Sequence, residues 1–360
     1  MFTEAVAALR AADARVLAVY PAPGPLVDDA IGLGAETRVM SVPRWADWVP
    51  RAGVRAYARW TSRHLLAASE AFRFLRRTRP DVVITNTITP PSFALAARLV
   101  GIRHVWMIHE FGAGISHLQF LLGYPRTVRA VSSLSDSVIC CSRAVEASLL
   151  SKAPNMRTRV IYNGIGTPTL RVRPRRPGPL RAALLGRFSE QKGQRVAVQA
   201  VQIARRHGAD VTLTLVGSGD RSQIERFATE LGIAPYVVCL PPIEHPVGVW
   251  READVALTCG LDEGFGRVTV EAMRAGLPVC GAASGGTREI VTDGVEGFLF
   301  PPGDAAYLAS LLVRLSQDEN LRQSLAERAV QTGSTFTTER YQRELQGEVR
   351  RVAARTIDKR

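Results

Sequence analysis

Two carboxylates in a glycine-rich setting stand out. Glu263 is followed by Gly264-Phe265-Gly266, then by Arg267 and Val268, and Glu271 comes eight residues after Glu263. Carboxylates accept hydrogen bonds from sugar hydroxyls. A helical pattern begins after Gly266. A helix N-terminus carries about half a positive charge and several unpaired amides, which suits a phosphate. Glycine lets the backbone come close to that phosphate. Pro278 ends this helix, Leu277 to Cys280 reads as a buried strand, and Ser284-Gly285-Gly286-Thr287 opens a second helix. Carboxylates beside two such helix starts are the chemistry needed to hold a nucleotide-sugar.

Further candidates lie at other strand ends. Gly186, Arg187 and Lys192 sit in GRFSEQKG, where a strand gives way to a loop. Two cations there can grip a diphosphate, the arginine bidentately and the lysine as a point charge, or can be solvated loop charges. His109-Glu110 follows an apolar run ending at Ile108. That histidine can reach a sugar hydroxyl or a phosphate, or can serve only its loop. Val216-Gly217-Ser218-Gly219-Asp220 and Tyr162-Asn163-Gly164 read as tight turns.

The elements that must position these residues alternate along the whole chain. Val16–Tyr20, Thr37–Val42, Asp81–Ile84, His104–Ile108, Val138–Cys141 and Arg159–Tyr162 read as strands, with helical patterns such as Phe2–Ala11, Ala52–Arg77, Ser92–Val100 and Arg143–Leu150 between them. Thr169 to Leu180 holds four arginines and four prolines or glycines, and reads as a linker. After it the alternation restarts with Ala182–Gly186, Gln194–Arg206, Val211–Val216, Arg221–Glu230, Val237–Leu240 and Val255–Thr258. Asp304 is placed to cap the helix after the last strand, Gly297–Phe300. The pattern predicts two α/β domains with parallel sheets, and ligands at the carboxyl ends of their strands.

At 360 residues with 46% apolar and 22% charged residues, the chain has the composition of a globular protein. No window reaches the length of a spanning helix, and no secretory leader is evident. The five cysteines lack metal-type spacing and read as buried, reduced thiols. The formal charge is +13, almost all from arginine, since lysine occurs only at Lys152, Lys192 and Lys359. The excess suits an anionic partner. No RNA-type aromatic motif is interleaved with the basic residues, so nucleic acid is not expected. No Asp-x-Asp pair and no His, Cys and carboxylate cluster at ligand spacing appears, so no metal or other cofactor is expected.

Read together, GRFSEQKG, VGSGD, EGFGRVTVEAMRAGLPVCGAASGGTREIV and GVEGFLFPPGD resemble the nucleotide-sugar half of the family-4 retaining glycosyltransferases. The first half is similar in IHEFG, SVICCSRAVEASL and RVIYNGI. The resemblance implies the GT-B fold, with two facing Rossmann-like domains and a cleft between them. It divides the chain into an acceptor-side domain (1–168), a linker (169–180), a nucleotide-sugar domain (181–335) and a terminal helical segment (336–360) that crosses back to the first domain. It implies that Glu263 holds donor-sugar hydroxyls and Glu271 the ribose. Arg187, Lys192 and the amides from Gly266 to Val268 would hold the diphosphate, with Gly186, Gly264, Phe265 and Arg267 completing the donor site. His109 would reach the sugar. The implied reaction is metal-independent transfer from a UDP- or GDP-sugar to a hydroxyl of a glycan or lipid-linked acceptor, with retention, in the cytoplasm. The alternatives are a GT-B-type sugar-nucleotide epimerase and a non-catalytic nucleotide-sugar-binding protein.

Members of this family begin with a strand and a glycine-rich loop before the helix that here starts at Phe2. The expectation is a misplaced start codon or a shortened chain, with a gap where that strand would lie. Arg51, Arg55, Arg59 and Arg63 recur every four residues near Trp45, Trp48 and Trp60. Nine arginines face only Asp47 and Glu70 between Arg44 and Arg79. Such a stripe is either a solvated face or a contact for the inner face of an anionic membrane, worth about 1 kcal/mol per charge near the surface. Sedimentation with anionic but not neutral liposomes at low salt, reversed by high salt, is the outcome the membrane reading requires. Equal behaviour with both vesicle types removes it.

Overall fold

The computed structural model describes residues 2–46, 54–112, 120, 123–166, 178–244 and 246–354, with the side chains of 54–59 left out. Arg51, Trp48, most of the expected linker and the side chains of Arg55 and Arg59 therefore lie outside the described residues. The chain divides into two compact units, residues 1–164 with 338–360, and residues 165–337.

The first unit runs α1 (Phe2–Arg10), β1 (Leu17–Tyr20), α2 (Pro25–Gly32), β2 (Glu36–Val39), α3 (Val54–Thr78), β3 (Val82–Asn86), α4 (Ser92–Val100), β4 (Arg103–Ile108), α5 (Tyr124–Leu134), β5 (Ser137–Cys140), α6 (Arg143–Leu150) and β6 (Thr158–Val160). Its strands form two separate parallel sheets, β1-β2 and β3-β4-β5-β6. Helix α1 serves both. Ala5 and Ala8 join the core over Val105, Met107 and Ile139, while Val6 joins the core of Ala18 and Tyr20.

The second unit runs β7 (Leu180–Leu185), α7 (Gln194–Arg206), β8 (Val211–Val216), α8 (Ser222–Glu230), β9 (Val237–Leu240), α9 (Val247–Glu252), β10 (Val255–Thr258), α10 (Arg267–Arg274), β11 (Val279–Ala282), α11 (Thr287–Ile290), β12 (Gly297–Phe300), α12 (Ala305–Gln317) and α13 (Glu319–Gly333). Its six strands form one parallel sheet in the order β12-β11-β10-β7-β8-β9. Nearly continuous apolar strands such as Ala182–Leu184 and Val255–Leu257 are what a sheet covered on both faces needs. Ala197, Val201 and Ala204 of α7 and Leu308, Leu312 and Leu315 of α12 pack onto it. Each fully buried Leu or Val stabilises by about 1.5–3 kcal/mol relative to exposure. Asp304 accepts a hydrogen bond from Tyr307 N at 2.8 Å and caps α12, as its position predicted.

Helix α14 (Thr338–Ala354) returns to the first unit. Tyr341, Leu345, Glu348 and Val352 make its buried stripe, at the spacing of one helix face. Glu348 interrupts that stripe with a charge. Burial works against its ionised form, but hydrogen bonds from Arg351 and Ser137 outweigh that and lower its pKa. Gln346 Nε2 donates to Ala8 O at 2.7 Å, tying α14 to α1. Among the described residues no helix is long and apolar enough to cross a membrane. The five cysteines carry free thiols, four of them buried and Cys239 half-buried.

His104, at the start of β4, is sealed in this core, with Nε2 2.8 Å from Thr85 Oγ1. Burial pulls its pKa from 6.5 to about 3, Asp136 pulling weakly the other way. Between those values the unfolded chain binds a proton that the folded chain does not. Stability should therefore fall on acidification through that window, by up to about 1.4 kcal/mol per pH unit. Denaturant unfolding between pH 6.5 and 4.5 should show a steeper loss for the native chain than for His104→Gln. Equal slopes would mean that the ring protonates while folded.

Candidate active site

The loop after β7 carries Gly186, Arg187 and Lys192. It is pinned from three sides. Gly186 N donates to Val216 O at 2.9 Å and Phe188 N to Ser218 O at 2.7 Å. A side chain at Gly217 would lie 2.0 Å from Gly186 O, so this glycine is what allows the ends of β7 and β8 to meet. The buried Gln194 donates to Arg187 O at 2.8 Å from below. A short turn, Glu190–Lys192, then leads into Gly193, which takes a left-handed φ of 67°. A Cβ there would lie 2.3 Å from Cys259 O, at the end of β10. Strain and contact together reserve that position for glycine.

The next loop, from Cys259 to Gly266, lies against the first. Leu261 N donates to Gln191 O at 2.9 Å. Glu263 Oε2 meets Lys192 Nζ at 2.6 Å, with the two side chains 29% and 35% exposed. Carboxylate and ammonium are thus brought together from 71 positions apart, on neighbouring strand ends, and remain open to solvent. Arg187 is exposed at the same strand end. Phe265 turns inward, is 3% exposed and packs edge-on to Phe336 at 5.6 Å. Gly266, at a φ of 103°, starts α10, so the amides of Arg267 and Val268 occupy its first turn, where no intrahelical acceptor exists. Glu271 lies one turn further, half-buried. The arrangement offers a cationic edge, helix-start amides and a carboxylate within one loop pair. It can hold an anionic group and a neighbouring polyhydroxyl group.

The segment from Ser284 to Gly286 opens a second helix, as the sequence predicted. Helix α11 is only four residues long. The glycines ahead of it hold the Glu263 loop. Gly286 N donates to Glu263 O at 2.8 Å, and Ser284 Oγ accepts from Asp262 N at 3.0 Å. A Cβ at Gly285 would lie 2.2 Å from Glu263 O, and one at Gly286 2.2 Å from Phe265 O. Asp262 is itself held at a φ of 54°.

In the first unit, His109 follows β4. Its Nε2 lies 2.7 Å from Asn86 Oδ1, at the end of β3. Among the described residues no group of three His, Cys, Asp or Glu side chains is placed to hold a metal ion.

Known families fit this geometry. Residues 1–167 match the family described as Glycosyltransferase Family 4, and residues 170–332 match Glycosyl transferases group 1. It belongs to the family-4 glycosyltransferases. The chain is 30% identical over 220 residues to an amylovoran biosynthesis glycosyltransferase of Erwinia amylovora, a match covering 58% of this chain and 54% of that protein. It is 34% identical over 171 residues to the phosphatidyl-myo-inositol mannosyltransferase of Mycobacterium leprae, covering 45% of each. The chain spans about half the length of these curated relatives. Its fold is that of Alr3699/HepE of Anabaena, solved in complex with UDP, at a TM-score of 0.76 and 20% identity over 96% of this chain and 95% of that one. A glycosyltransferase of Rickettsia africae is similar at a TM-score of 0.78 and 15% identity, over 97% and 93%. These likenesses establish a GT-B fold of two Rossmann-like units.

Two parts of the site are not legible in the sequence. Asn86 carried no motif, and its place beside His109 depends on the β3–β4 register, where Asn86 pairs with Met107. The glycines at 285 and 286 were visible, but their contact with Glu263 was not. Gly286 has an ordinary helical φ of −66°, so alanine is excluded there only by the close approach to Phe265. Gly286→Ala should therefore destabilise the second unit by about 1–3 kcal/mol, the usual cost of overpacking, and loosen the Glu263 loop. Gly248→Ala, with open space around it, should be neutral or mildly stabilising. Thermal unfolding of both variants checks this. Equal melting points would mean that the Glu263 loop is free to move.

Proposed function

We propose that this chain is a retaining glycosyltransferase. It moves a sugar from a nucleoside-diphosphate sugar, with uridine or guanosine as the base, to a hydroxyl of a glycan or lipid-linked acceptor. The observation that carries the reading is the Lys192–Glu263 pair at 2.6 Å beside the exposed Arg187 and the start of α10. Family membership supports it, as does the presence of UDP or UDP-glucose in solved relatives of the same fold.

In this reading Arg187, Lys192 and the amides of Arg267 and Val268 offset the charge that grows on the diphosphate as the glycosidic bond breaks. Glu263 accepts hydrogen bonds from donor-sugar hydroxyls and Glu271 from the ribose. Glu263 and Lys192 meet each other, and a bound donor exchanges that contact for one to each of its own halves. His109 meets a substrate hydroxyl. The acceptor attacks on the face the leaving group departs from, and a leaving phosphate oxygen takes its proton. Cations and amides do the electrostatic work, so no metal is required. Work in the cytoplasm, in peripheral contact with the membrane's inner face through the arginine-rich helix, fits a lipid-linked acceptor in cell-surface glycan synthesis.

Glu263→Gln and Arg187→Ala should each lower turnover of the nucleotide-sugar by about 10² or more, the scale of a lost transition-state contact, with circular dichroism unchanged. Turnover by the native chain should survive EDTA. Full activity in either variant removes the site assignment, and a requirement for added Mg²⁺ or Mn²⁺ removes the cationic mechanism.

A further inference from the structure

The carboxyl ends of β3 and β4 are interlocked more tightly than two neighbouring loops require. Thr87 takes a φ of 74°. A β-branched residue in the left-handed region is a steric outlier, sustained only where its surroundings over-determine it. They do so here. Thr87 N donates to Met107 O at 2.8 Å, and Trp106 Nε1 donates to Thr87 O at 2.7 Å. Trp45 stacks on the fully buried Trp106 at 5.8 Å and donates to Ile88 O at 2.7 Å. Glu110 accepts from Ile88 N at 2.9 Å with one carboxylate oxygen and from His109 N at 3.1 Å with the other. Both oxygens of Glu110 thus accept from backbone amides, and the imidazole of His109 faces the neutral amide of Asn86, with Oδ1 2.7 Å from Nε2.

That division of labour has a chemical consequence. A carboxylate against an imidazole favours its charged form, whereas an amide oxygen accepts from one ring N–H without supplying a charge. Tyr124 on α5, which senses Glu110, and Cys140 on β5 beside it are pushed upward chiefly by burial and stay neutral. Cys141 continues from β5, with its amide on Ile108 O. The Glu110 carboxylate is turned to the backbone.

We propose that Asn86 is a positioning residue for His109, fixing the plane and the tautomer of the imidazole that meets the substrate, with the proton on Nε2. This rests on the reading above in which His109 touches substrate. The strained turn at Thr87 sets the end of β3 so that the Asn86 amide meets the ring edge, and Glu110 locks the two loops in that register.

Two readouts test it on the full chain. Nitrogen-15 NMR of the imidazoles, with the His109 signal assigned by its loss in His109→Gln, should show one tautomer with the proton on Nε2 in the native protein and a mixture in Asn86→Ala. In Asn86→Asp, close to the native side chain in shape, the titration of His109 should move up by about one pH unit or more. Turnover should follow. Asn86→Ala should lose about tenfold in kcat with little change in donor KM, and Asn86→Asp should shift the acidic limb of the kcat profile upward by the same amount as the titration. A His109 tautomer and titration indifferent to both changes overturn the proposal. If the NMR signals follow Asn86 while His109→Gln keeps full turnover, the pairing stands and the assignment of His109 to the substrate falls.

Discussion

A carboxylate at a strand end keeps one position only if it is held by something stiffer than its own loop. Glu263 is held by backbone. Its carbonyl takes the amide of Gly286, and its main chain lies so close to Gly285 that no side chain fits between them. The same construction recurs at Gly193 against Cys259 and at Gly217 against Gly186. Each is a place where a strand end meets a neighbouring loop, and each removes a side chain so that main-chain groups can touch. Lys192 and Glu263 meet across loops that these three contacts hold together.

Parallel sheets make this economical. Every strand of a parallel sheet ends on the same edge, so the loops that follow β7, β8, β10 and β11 crowd together without any long connection. The apolar strands carry the stability, and the polar strand ends are left to carry chemistry. Crowding has a cost in conformational freedom, seen in the left-handed backbone at Gly193, Asp262 and Gly266. The sheet core beneath, from Val255 to Leu257 and Val279 to Ala282, is fully buried and can hold that strain.

The first unit solves the same problem with side chains. Its strand-end loops are joined by Trp45, Trp106 and Glu110, each hydrogen-bonded to backbone, where the second unit uses glycines. Its strands also fall into two sheets, and α1 packs on both, with α14 returning to cover it. The two units thus anchor their strand ends by different means: close backbone approach in one, and aromatic and carboxylate side chains bonded to backbone in the other.

The sequence by itself determined the alternation of strands and helices, because the period of apolar residues is a local property. It determined that Asp304 caps a helix, and that the stretch from Glu263 to Glu271 opens with glycines into a helix, for the same reason. It also carried the family resemblance, through short motifs that are local too. Only the tertiary structure decided that Lys192 pairs with Glu263, that Gly285 and Gly286 support Glu263 and lead into a helix of a single turn, and that Asn86 meets His109. It also decided that β1 and β2 stand in a sheet apart from β3 to β6. Each of these depends on which strands become neighbours and in what register. Register is set by packing against helices from distant parts of the chain, and no local window of residues contains that information.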